Sequence, residues 1–442
     1  MILEAADGDA TDRLQRAIDR AGALGTRLTL APGVHETRGL TLRSGTDLHL
    51  AAGAILRPAG DYDAYRETCV DIVAEGSDRA MLVARQAESV SISGPGMIEA
   101  PGAAFIAGDL ADMGTHEPAR FRPRVLVFEG CHGVRLSGLV IRQSPMWTLH
   151  LAGCSDVRIS GMTIDNDRRM PNTDGIVIDS CVDVEIRDAV IATADDGIVL
   201  KTSRRANGVP IGPCRDVRVF GCRIESRSCA LKIGTETYAD IADISFRDCA
   251  VVGSNRALGL FSRDGGAISR VAFRRIAVEC SETPDGFWGS GEAITVNVLD
   301  RVPDRPAGSI CDVVFEDISG VMEGAVTLIA ERRAGISGAV LRRVALAQRP
   351  GALGTGRRYD LRPTRFDVAP PPGAEGRANA YVKDASGEVV GLMPYPGGLP
   401  ALFSCHVTDL VIDQVRFERP APLPQGWTPR DMAIVADEPE KP

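Results

Sequence analysis

Three carboxylates have the types and spacing of a reactive group. The phrase Asp174-Gly-Ile-Val-Ile returns 22 residues later as Asp196-Gly-Ile-Val-Leu, and Asp195 adds a third acid beside the second copy. Two carboxylates about 5 Å apart repel when both are ionised, so one takes a raised pKa or the pair shares a proton. Paired acids use this to do general acid and base work. The chemistry requires a fold that brings residues 22 apart together. The bland alternative is a pair of turn caps, because Asp-Gly is also a turn signal.

A repeat supplies such a fold. CHGVRLSGLVI, CSDVRISGMTI, CVDVEIRDAVI, CRDVRVFGCRI and IADISFRDCAV align without gaps from residue 131. Val134, Val157, Val184, Val217, Ile244 and Val271 share one position in it, at steps of 23, 27, 33, 27 and 27 residues. Val313 begins a further copy, weaker copies lie near 336 and 407, and earlier ones lie near Val90 and Leu48. A period in the twenties, rich in β-branched residues and too short for a crossover helix, predicts an all-β parallel solenoid. A propeller blade needs about 40–45 residues. Equivalent residues of successive coils then lie roughly 4.8 Å apart.

Carrying the offsets through Asp174 predicts a row of side chains: Trp147, Asp174, Asp196, Cys229, Arg256 and Glu292, with Asp195 at its edge. A fold has no need of stacked aspartates for stability, which favours chemistry over turn capping. Trp147 reads as a sugar platform or as core, and His150 as a direct participant or as a buried support. Lys201, Lys232 and Arg256 read as neutralisers of the acids or as binders of a polyhydroxyl or anionic ligand.

The rest of the chain bounds the reading. Net charge is −9, against nucleic-acid binding. Only four of the 50 basic residues are lysine, and two of these, Lys201 and Lys232, lie beside the acidic stretch. Residues 9–23 predict a helix capped by Asp9 or Thr11, placed to cover the solenoid's N-terminal end. Segments 57–86 and 100–123 read as loops, 350–405 as an insertion, and 420–442 as a Pro-rich, acidic, poorly ordered tail. No independent second domain is expected. The cysteines show no CxxC pair or zinc spacing, and Cys131, Cys154, Cys181 and Cys214 share one repeat position, so buried reduced thiols are expected. With no signal-peptide pattern and no apolar run of membrane length, the expectation is a cytoplasmic protein without membrane contact.

Ser144-Pro-x-Trp147-x-x-His150, Asn172-Thr-Asp174-Gly, Asp195-Asp196-Gly, Ile233-Gly-Thr-Glu236 and Arg256-x-x-Gly259 stand in an order that resembles the family 28 glycoside hydrolases, the polygalacturonase group. The resemblance covers nearly the whole chain. It implies a right-handed parallel β-helix that hydrolyses an α-linked pectic, galacturonide-type oligosaccharide with inversion, without metal or cofactor. It also implies that Asp195 is the general acid, that Asp174 and Asp196 activate water, and that Asn172 orients Asp174. Stacked carboxylates sit closer than the roughly 6.5–9.5 Å usual for inverting enzymes, so the expectation of inversion rests on the resemblance. Two departures stand out. The family's Gly-His-Gly reads Ser228-Cys229-Ala230, and its uronate-binding Arg-Ile-Lys reads Gly259-Leu260-Phe261. Lys232, Arg256 and Arg263 are the candidates to replace the lost cations. The alternatives are a rhamnogalacturonan fragment or neutral α-glycoside as substrate, a non-catalytic carbohydrate-binding β-helix, and a lyase of the same fold class. The lyase would normally need calcium-binding acids and an Arg or Lys base. The long segments 57–86, 100–123 and 350–405 could wall off one end of a cleft, which suggests exo action.

Overall fold

The computed structural model describes residues 1–301, 304–333, 335–363 and 381–435. The chain is an all-β, right-handed parallel β-helix whose coils follow the sequence repeat. The shared position pairs in register from coil to coil: Val134 with Val157, Val157 with Val184, Val184 with Val217, Val217 with Ile244, and Ile244 with Val271. Val271 then pairs with Val313, and Val313 with Ala339. Alternation of buried and outward residues along these strands follows from their period of two. The buried set merges into one apolar core running from the N-terminal helix to Leu402. Within it Phe246, Phe273 and Phe315 stack at 4.7 and 5.1 Å between ring centroids.

One sheet carries the acids. Its strands are β1 (Leu40–Leu42), β2 (Ser77–Arg85), β3 (Arg124–Glu129), β4 (Leu149–Ala152), β5 (Ile176–Asp179) and β6 (Ile198–Thr202). It continues through β7 (Cys229–Thr237), β8 (Arg256–Ser262), β9 (Ile294–Val298), β10 (Val326–Ala330), β11 (Leu402–Cys405) and β12 (Met432–Val435). Helix α1 (Thr11–Ala23) buries Leu14, Ala17, Ile18 and Ala21 against the first coil, and Asp9 Oδ1 accepts the Thr11 N–H.

Cys131, Cys154, Cys181 and Cys214 form one buried row of free thiols. Their sulfurs make weak bonds with backbone groups, as Cys154 Sγ does with the Phe128 carbonyl at 3.2 Å.

Several expected loops are structured. Residues 77–85 are a full coil strand, not loop; their polar ends hid the pattern. Segment 100–123 contains an antiparallel hairpin, Ile106–Leu110 with Thr115–Pro118. The 350–405 insertion ends in β11, and the 420–442 tail supplies β12, which pairs with β11. Within the insertion Arg358–Asp360 pairs with Leu392–Pro394. Residues 364–380 and 436–442 of these two segments lie outside the described residues. No helix among the described residues is long and apolar enough to cross a membrane.

Candidate active site

The predicted row forms. Strand register places Trp147 beside Asp174, Asp174 beside Asp196, Asp196 beside Cys229, Cys229 beside Arg256, and Arg256 beside Glu292. Backbone bonds lock it: the Thr148 N–H donates to the Asp174 carbonyl at 2.8 Å, and the Gly175 N–H to the Asp196 carbonyl at 2.9 Å. The repeated Asp-Gly phrase has a packing cause. A side chain at Gly175 would come within 2.5 Å of the Gly197 carbonyl, and one at Gly197 within 2.6 Å of the Ala230 carbonyl. Coil stacking, not turn geometry, requires both glycines.

Asp174, Asp195 and Asp196 open together on a cavity of about 150 Å³. All three are nearly buried. The Thr193 and Ser226 hydroxyls donate to the Asp195 carbonyl at 2.6 and 2.7 Å, which fixes this residue's backbone at the cavity edge. Burial pushes the Asp174 pKa well up, the charge of Asp195 adds to this, and Lys201 opposes it. Burial also raises the pKa of Asp196, against the pull of Lys232. Asp196 Oδ2 accepts from Lys232 Nζ at 2.6 Å. Asp196 Oδ1 is buried and has no hydrogen-bond donor among the described residues.

Lys201 sits at the centre of the supporting charges. Its Nζ lies 3.6 Å from Asp174, 3.3 Å from Glu236 and 4.1 Å above the Trp147 ring. Burial works against its charge, but Glu236 and Asp174 outweigh it and hold the ammonium protonated. Trp147 is therefore not an open platform. It is 6% exposed, and the ammonium occupies a ring face that a sugar would need.

His150 also moves to a supporting role. It is fully buried and packs edge-on to Trp147 at 5.0 Å. Arg124 Nη1 donates to its Nδ1 at 2.8 Å, which leaves Nε2–H to face Asp179 Oδ2 at 3.4 Å. Burial lowers its pKa to about 4, so it is neutral at pH 7.

Three further expectations change. Asn172 Oδ1 accepts from Arg122 Nη2 at 2.9 Å, and among the described residues its amide makes no bond to Asp174. Arg263 is fully buried and directs its donors at the carbonyls of Ser262, Asn297, Leu361 and Pro363. It anchors the insertion and cannot reach a ligand. Burial lowers its pKa to about 9. Glu292 is a buried counter-ion for Arg256, 3.4 Å away, and does not face the cavity. Cys229 lies on the cavity wall, and burial pushes its thiol pKa up, so the sulfur is uncharged at pH 7.

The cavity has walls that the repeat did not reveal. Glu75 comes from the turn before β2, Trp288 and Arg301 flank β9, and Arg362 and Pro363 come from the insertion. None occupies a repeat position, so the offsets could not find them. Glu236 and Phe261 stand beside residues already singled out, and strand alternation alone would have put both on the sheet.

Residues 66–348 match the family model described as glycosyl hydrolases family 28. The match covers more than half of the chain, which belongs to this family. The chain is 25% identical over 209 residues to a probable polygalacturonase of Arabidopsis thaliana, covering 45% of this chain and 42% of that protein. It is 23% identical over 351 residues to an endo-polygalacturonase of Pectobacterium carotovorum, covering 75% and 82%. The alignment to the Arabidopsis protein, and one to a Vitis vinifera relative at 35% of its length, thus span well under half of those proteins. Among solved structures, an exopolygalacturonase from Thermotoga maritima superposes with a TM-score of 0.65 at 20% identity, covering 79% of this chain and 87% of that one. A family 28 exopolygalacturonase from Yersinia enterocolitica superposes with a TM-score of 0.63 at 15% identity, covering 98% and 77%. These superpositions show the shared fold.

Proposed function

We propose that this protein is an inverting glycosidase that removes a terminal α-linked sugar from a pectic oligosaccharide. The observation that carries the proposal is the in-register stacking of Asp174 on Asp196, with Asp195 beside them, in one nearly buried cavity. Such a trio penalises folding and fits proton chemistry. Asp195 protonates the glycosidic oxygen as the bond to the anomeric carbon breaks. A water held by Asp174 and the unpartnered Oδ1 of Asp196 gives up a proton to this pair and attacks the opposite face of the sugar. Lys201 and Lys232 hold the two acids in place and balance their charge.

Exo action is supported by the size and walls of the cavity. About 150 Å³ is well below the roughly 300–1,000 Å³ of a pocket for a drug-sized ligand. Glu75 stands on one side and Arg362 with Pro363 on another, so there is room for one chain end. The free thiols support action in a reducing compartment.

Proton NMR of the first-formed product tests the stereochemistry. A β-anomeric sugar from an α-linked substrate is expected. An α-anomer as the first product would rule out direct displacement by water.

A further inference from the structure

We propose that the sugar held in this cavity is neutral, carrying no carboxylate; the inference rests on the glycosidase reading and narrows its substrate. The first reason is that the cavity's cations are committed. Lys232 is bonded to Asp196, and Lys201 lies between Glu236 and Asp174. Arg301 grips Asp264 through two nitrogens. Arg256 lies 3.4 Å from Glu292 and 3.2 Å from Asp360. Arg362 bonds both oxygens of Asp360 and donates to the carbonyls of Asp285 and Phe287.

The second reason is the balance of charge. The described wall holds these five cations and five acids: the trio, Glu75 and Glu236. Asp264, Glu292 and Asp360 stand directly behind the cations. A uronate would bring a further anion into a site whose buried cations already have partners. It would have to draw one away and leave that partner's charge uncompensated.

The third reason is the corner beside Lys232. Strand register puts Gly259 next to Lys232 there. The Phe261 ring covers the glycine, and a side chain at position 259 would come within 2.5 Å of that ring and 2.8 Å of the Cys229 sulfur. The wall at this point is therefore an aromatic edge and a thiol, with Lys232 and Arg256 at 5.6 and 5.1 Å from the ring centroid and both already facing acids. Such a surface suits a hydroxymethyl or methyl substituent, whereas a carboxylate there would have to compete with Asp196 for Lys232.

Calorimetric titration of the Asp195→Asn protein tests this without relying on turnover. The ligands are digalacturonate, its carboxyl-reduced digalactoside, and a disaccharide ending in rhamnose. At least one neutral-ended ligand is expected to bind tenfold or more tightly than digalacturonate. Which one binds separates a hydroxymethyl from a methyl at that corner. Digalacturonate binding as tightly as both neutral ligands, or no binding of either neutral ligand, overturns the proposal. Adding Glu236→Gln removes one of the acids and should raise digalacturonate affinity at least fivefold; no change would also overturn it. Failure of the glycosidase reading would look different: the ligand preference would hold while the unmodified protein cleaved none of the three.

Discussion

Asp174→Asn should make the folded protein more stable at neutral pH while abolishing its activity. The aspartate is 2% exposed, stacks on Asp196 and feels the charge of Asp195, so its folded pKa is raised above the usual carboxylate value of 3.8. A raised folded pKa means that the native state binds the proton more readily than the unfolded chain does. Stability contributed by that proton is full in acid and is lost as pH rises from about 4 towards the folded pKa. The interval between 3.8 and pH 7 is about three pH units, which at 1.36 kcal/mol per unit caps the penalty at about 4 kcal/mol. Lys201 at 3.6 Å offsets part of it, so about 1–3 kcal/mol is the expected gain from the neutral isostere at pH 7. In a chain of 442 residues this is a rise of a few degrees in Tm. Melting curves of both proteins at pH 4 and pH 7 provide the assay. The curves should nearly coincide at pH 4, with the variant melting higher at pH 7. A variant that melts lower at pH 7, or a difference that does not change with pH, would refute the reasoning and make Asp174 a structural residue.

Other substitutions separate supporting residues from reacting ones. Asp196 also has a raised pKa but bonds Lys232 directly, so Asp196→Asn should gain less stability at pH 7 than Asp174→Asn in urea unfolding, and an equal gain would show that the Lys232 bond contributes nothing. Arg263→Ala leaves several buried carbonyls without a donor and should lower stability by about 3 kcal/mol or more; its ratio of KM values for acidic and neutral substrates should not change, and a selective rise for acidic ones would return Arg263 to the binding surface. Gly259→Ala forces a methyl against the Phe261 ring and should be destabilising by about 1–3 kcal/mol, with lower turnover; an unperturbed variant would show that the ring moves freely. His150 has a folded pKa depressed to about 4, so it contributes stability above pH 6.5 that is lost as pH falls towards 4; His150→Gln should flatten stability over that window, and an unchanged slope would contradict its burial as the neutral form.

The row from Trp147 to Glu292 was legible in the sequence because a parallel β-helix converts repeat offsets directly into neighbours. A one-residue slip would have exposed the buried Val134-to-Val271 ladder, so the apolar pattern fixed the register. Side-chain direction and the depth of burial were not legible. Trp147, His150 and Glu292 lie where the offsets or motifs put them, while Arg263, named as a replacement cation, does not line the cavity. Yet Lys201 covers the tryptophan, Arg124 turns the histidine into a support, and the insertion takes up Arg263. Those partners come from outside the repeat. Glu75, Arg301 and Arg362 were invisible for the same reason: segments with no period carry no offset. The strands Ser77–Arg85 and Met432–Val435 were missed because their flanks are polar and Pro-rich, while pairing with the sheet supplied what local sequence did not.

Turnover by the unmodified protein and by Asp195→Asn, measured side by side on a panel of pectic oligosaccharides with acidic and neutral chain ends, bears most directly on the catalytic trio. The unmodified protein should release a monosaccharide from at least one of them, and Asp195→Asn should release none while melting at nearly the same temperature. Equal release by both proteins, or no release by either, would contradict the assignment of this cavity as a glycosidase active site.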